Sequence, residues 1–155
     1  MFNFKLKLVF ISAIISLLTI NSLAQSTNTT QSPKEFFGFT PGEDGMLFTY
    51  EELISYLQIL DEASPRVKLV EIGKTPLERP MYIAFISSGE NISNLNELQN
   101  INKELALNYN LTEEEREKYF TVGKVFVLGT LSMHSGEVGP SQAAALIAYD
   151  LATTE

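Results

Sequence analysis

"KVFVLGTLSMHSGEVGPSQAAALIAYDLA", residues 124–152, decides how this chain is read. Its opening, residues 124–131, is apolar and β-branched, the composition of a central strand. Its closing run, residues 139–152, reads as a helix. Pro140 suits the first helical turn, and the alanines allow close approach to a sheet. Between the two lies the only histidine of the chain, His134, with Glu137 three residues on. In open α/β sheets, sites form where strands end and loops turn toward helices. Gly136 and Gly139 leave the backbone free to fold tightly there. If the loop makes a helix-like turn, a spacing of three brings the imidazole and the carboxylate together. Zinc takes both donors, at ~2.0–2.2 Å. His134 and Glu137 are therefore the candidate metal ligands. A catalytic zinc has three protein ligands and a water. The chain has no second histidine to complete such a site with another imidazole.

Upstream, "TYEELISYLQILDEAS" (49–64) predicts a helix. Thr49 and Glu52 are spaced as a capping box, and Phe48 and Leu53 as a hydrophobic staple. Leu53, Tyr56, Leu57 and Leu60 fall on one core-facing stripe. Ser64-Pro65 ends the helix, because a residue before proline avoids helical backbone angles. "RVKLVEIG" (66–73) and "RPMYIAFISS" (79–88) read as two strands of a hairpin, the second apolar enough to be buried on both faces. "NLNELQNINKELAL" (94–107) predicts a helix capped by Ser93 or Asn94. "LTEEEREKYF" (111–120) predicts another, with Thr112 and Glu115 as a second capping box and its acidic run solvated. The order is helix, strand, strand, helices, strand, helix. That predicts an α/β fold with a mixed β-sheet flanked by helices. A central third strand needs neighbours on both sides, so the chain is expected to be the N-terminal portion of a larger domain.

The first 24 residues have the form of a secretory signal. Lys5 and Lys7 precede an apolar stretch from Leu8 to Ile20, and Ser22-Leu23-Ala24 forms a cleavage site after Ala24. That stretch is short for a membrane span. The expected location is secreted or periplasmic, with no stable membrane span after cleavage. Residues 25–35 read as a linker, and residues 36–155 as the domain. Phe36, Phe37 and Phe39 lie in an irregular segment laid over that domain as anchors. The chain has 11 basic and 19 acidic residues. Without Lys5 and Lys7 its charge is −10, which argues against a nucleic-acid partner. The absence of cysteine excludes disulfides, a thiol nucleophile and cysteine-bound zinc.

Two stretches together resemble the zinc carboxypeptidases of the carboxypeptidase A-like metallopeptidase family. "SMHSGEVGPSQ" (132–142) is similar to that family's His-x-x-Glu zinc motif, set after a strand and before a helix. "ASPRVKLVEIGKTPLERPMYIAFISS" (63–88) is similar to its opening pair of strands. The connecting loop there commonly reads Gly-x-(Ser/Thr)-x-Glu-Gly-Arg; here it is GKTPLERP, without the glycine before Arg79. The resemblance spans residues 36–155 and implies the N-terminal part of a three-layer α/β/α catalytic domain. It implies Zn2+ as cofactor, His134 and Glu137 as its first two ligands, and a peptide or protein substrate. A third ligand and a glutamate general base are expected beyond Glu155. The implied reaction is removal of C-terminal residues by a zinc-activated water. Recognition of a terminal carboxylate usually needs a bidentate arginine. Arg66, Arg79 and Arg116 are the only arginines, none of them beside the His134 loop in sequence, and structural or solvent roles are expected for them. The alternatives are a zinc amidohydrolase acting on N-acyl amino acids, a non-catalytic exported module, and a glycan- or surface-binding module using exposed aromatics.

Overall fold

A computed structural model describes residues 30–154. The signal stretch 1–24 and residues 25–29 of the linker lie outside the described residues. The chain begins with a short helix, α1 (Pro33–Phe37). Ser32 accepts from the Glu35 amide while the Glu35 carboxylate bonds back to the Ser32 backbone, so a capping box starts the helix. Pro33 occupies its first turn, and Gly38 ends it in the left-handed region at φ 78°. The linker expected through residue 35 thus stops at Ser32, and part of the segment expected to be irregular is helical. Its phenylalanines do anchor it. Phe37 stacks on Phe48 at 4.3 Å between ring centroids, and Phe36 meets Phe37 edge-on at 4.9 Å.

Helix α2 (Tyr50–Ala63) has the expected Thr49–Glu52 capping box. Tyr56, Leu57 and Leu60 are buried along its expected stripe, and Ser64 leaves the helix in extended conformation ahead of Pro65. The hairpin follows as β1 (Val67–Lys74) and β2 (Pro80–Ile86), antiparallel from Val67 opposite Ile86 to Lys74 opposite Pro80. The register slips between Glu71 and Gly73, where Gly73 takes φ 135°, backbone space that favours glycine. Next come α3 (Gly89–Ser93), α4 (Leu95–Leu107), α5 (Glu113–Val122) and α6 (Val138–Thr153). Helix α5 has the expected Thr112–Glu115 box and an acidic first turn. At the start of α4 Asn94 makes no side-chain cap bond, and Ser88 instead caps the added short helix α3.

Two expectations are corrected here. Among the described residues the sheet has two strands, not three. Residues 124–131 make no backbone hydrogen bond to β1 or β2. A strand is stabilised by its ladder as well as its composition, and no ladder partner lies beside this one. Asn102 Nδ2 donates to the Lys124 carbonyl at 2.8 Å, and the Phe126 ring meets Phe85 edge-on at 6.3 Å. Val125 and Val127 are about nine-tenths exposed. For the same reason β2 is half-buried rather than buried on both faces, with Met81 exposed. The chain thus mixes helices with one small antiparallel sheet. Among the described residues, no helix is long and apolar enough to cross a membrane.

The core joins the two longest helices to the start of the hairpin. Phe48, Tyr56, Leu57, Leu60 and Val67 pack with Ala145, Ala148 and Ala152. The α6 alanines thereby let that helix approach α2 as well as the start of the hairpin. Tyr56 is fully buried and its hydroxyl donates to the Gln31 carbonyl at 2.9 Å. Burial raises the pKa of its hydroxyl well above the ordinary phenol value.

The capping boxes make stability sensitive to acid. Glu35 is held below the ordinary carboxylate value chiefly by the Ser32 hydroxyl. Glu52 and Glu115 are lowered chiefly by the backbone amides of Thr49 and Thr112. A carboxylate with a depressed folded pKa contributes stability above its unfolded value and loses it as the pH falls through the folded one. Melting temperature is therefore expected to hold above the ordinary value of 4.5 and to fall below it. Glu52→Gln keeps the geometry of the box without the titration. Its melting curve from about pH 6 to pH 3 should fall less steeply than that of the parent; equal slopes would remove Glu52 from the account.

Candidate metal-binding loop

The loop between residue 131 and α6 closes on itself through side-chain chemistry. The Glu137 amide donates to the His134 carbonyl at 3.0 Å, making the helix-like turn that the spacing required. The Ser132 hydroxyl lies 3.1 Å from the His134 carbonyl and 3.2 Å from that of Glu137, tying both ends of the turn together. The Glu137 carboxylate then folds back over it. Oε2 accepts from the backbone amides of His134 at 3.1 Å and Met133 at 3.3 Å. Oε1 meets His134 Nδ1 at 2.7 Å. The carboxylate pKa is lowered, first by the His134 side chain and then by the His134 and Met133 amides.

The structure thus brings the two sequence-predicted ligands into direct contact, with both side chains exposed to solvent. The donor types suit zinc, and so does their freedom to move. Bonds of ~2.0–2.2 Å in a tetrahedral site set two donors about 3.4 Å apart, against the 2.7 Å of their hydrogen bond. A shift of roughly 0.7 Å would bring the two donors to that spacing, and both side chains are exposed. These residues supply two donors. Among the described residues no group of three or more histidine, aspartate or glutamate side chains converges as a metal cage. The arginines stand elsewhere in the chain: Arg66 Nη2 donates to the Leu151 carbonyl at 3.2 Å, a structural link to the C-terminal end of α6.

Two residues that shape this loop escaped the sequence reading. Ser132 is an ordinary loop serine by composition, and nothing local marks it. Gln142 had a signal. With Ala145, Ala148 and Ala152 it forms one helical stripe, and it is the only polar residue on that buried face of α6. Its Oε1 accepts from the Phe48 amide at 3.1 Å and its Nε2 donates to the Phe48 carbonyl at 3.0 Å. A polar group on a buried helical face requires such partners.

Comparison with family models, with curated proteins and with solved structures found no match to this chain.

Proposed function

We propose that the chain belongs to an exported zinc-dependent hydrolase of carboxypeptidase type, in which His134 and Glu137 hold the metal. The observation that carries this reading is the pairing of His134 Nδ1 with Glu137 Oε1 at 2.7 Å on a self-closed loop. It is joined by the sequence resemblance to the zinc carboxypeptidases, whose three-layer α/β/α domain this chain would begin. A bound zinc would supply a polarised carbonyl and a water acidic enough to lose its proton near neutrality.

The residues of this chain do the holding. The Glu137 carboxylate, whose pKa its imidazole and amide partners lower further, would be the negative donor. Its bond to Nδ1 orients the His134 ring. The Ser132 hydroxyl keeps the turn closed behind both. A third protein ligand, a general base and a carboxylate-binding arginine would come from polypeptide beyond Glu155. The substrate class would be peptides or proteins attacked at their C-terminal residue.

Metal removal tests the reaction. After exhaustive chelation the full-length protein is expected to lose hydrolysis of C-terminal peptide bonds, and added zinc is expected to restore it. Activity that survives complete stripping would end the proposal. Peptides and N-acyl amino acids assayed side by side separate the peptidase from an amidohydrolase on the same scaffold.

A further inference from the structure

We propose that Gln142 is a positioning residue for the His134–Glu137 pair, an inference that rests on the zinc reading above. The anchoring of the loop carries it. Residues 132–140 are all exposed, and Gln142 is the first buried side chain after them. On the other side, residues 124–131 make no backbone ladder. The loop therefore reaches the core through its C-terminal side, and Gln142 is the point of contact.

Helix α6 also needs holding at that end. Glu137 stands at its N-cap position, yet makes no side-chain cap bond to it. Its carboxylate is turned back toward Met133 and His134 instead. The first turn of α6 thus gives up its cap so that the carboxylate can face the imidazole. An uncapped helix start costs about 1 kcal/mol and frays more readily. One turn further in, Gln142 grips both polar atoms of the Phe48 backbone, at 3.1 and 3.0 Å. Phe48 is itself packed in the core: its ring is buried and stacked on Phe37, and its chain continues into the capping box of α2. The line of restraint runs from Phe37 through Phe48 to Gln142, and along one helical turn to Glu137. Gln142 touches neither the imidazole nor the carboxylate; it sets where the turn that bears them stands.

The test is zinc affinity of the full-length protein, read by competition with a chromophoric chelator well below the melting temperature. Gln142→Leu removes both bonds at similar volume. It is expected to weaken zinc binding by roughly threefold or more, less than the about 10- to 100-fold lost with an outer partner bonded directly to a ligand. Gln142→Glu keeps the shape and the acceptor but loses the donor to the Phe48 carbonyl, and should weaken binding in the same direction. It carries the test if the leucine variant does not fold. Leu98→Ala, a buried site on α4, should lower the melting temperature and leave zinc affinity unchanged. Parent-like zinc binding by either Gln142 variant overturns the proposal, as does an equal loss in Leu98→Ala. Parent-like zinc binding by His134→Ala is a separate result, and it removes the zinc reading itself.

Discussion

Replacing His134 with alanine is expected to lower the zinc affinity of the full-length protein by more than about 100-fold. Loss of an outer partner alone costs about 10- to 100-fold, and under the zinc reading His134 would be the donor itself. No other imidazole in this chain can stand in for it. Glu137→Gln should fall nearly as far. It keeps an oxygen for the amides of Met133 and His134 but loses the negative charge that favours a cation. Both variants are expected to fold, because both side chains are exposed and outside the core. Calorimetric zinc titration and a peptide-hydrolysis assay on the same samples check the result. Undiminished cleavage by either variant would mean that the pair is only a surface hydrogen bond.

Leu60→Ala should have the largest effect on stability. Leu60 is fully buried among Tyr56, Val67 and the alanines of α6. Deleting its side chain leaves a cavity where two helices and the first strand meet, at a cost of about 2–5 kcal/mol. For a domain of this size that lowers the melting temperature by roughly 10 °C. The alanines make the cost hard to escape, since methyl groups cannot swing across to fill the gap. Denaturant unfolding followed by circular dichroism gives the number. A loss below about 1 kcal/mol would show that the α2–α6 contact had collapsed onto the cavity.

What was readable in advance follows the range of the interactions. The capping boxes at Thr49–Glu52 and Thr112–Glu115 were legible because a side chain and an amide three residues apart settle the matter locally. The hairpin was legible from two apolar runs with a turn between them. The turn joining His134 to Glu137 was legible from spacing and two glycines. Residues 124–131 show the limit: their composition reads as a central strand, but pairing depends on what lies alongside, and that is not a local property. The box at Ser32–Glu35 has the same signature as the others, yet Pro33 and the aromatic run after it suggested irregular chain. Gln142 carried a local signal as the polar residue on a buried stripe, but its partner did not, because Phe48 lies 94 residues away.

That distance along the chain has a kinetic side. The β1–β2 hairpin brings together neighbours in sequence, whereas docking α6 on α2 must first close a loop of 94 residues. By the usual logarithmic scaling this closure forfeits roughly 4 kcal/mol of chain entropy before packing returns any of it. Local elements are therefore expected to assemble early and α6 to dock late. The loop carrying His134 and Glu137 would then acquire its fixed place only at that last step, and any cation it holds under the zinc reading would report completed folding.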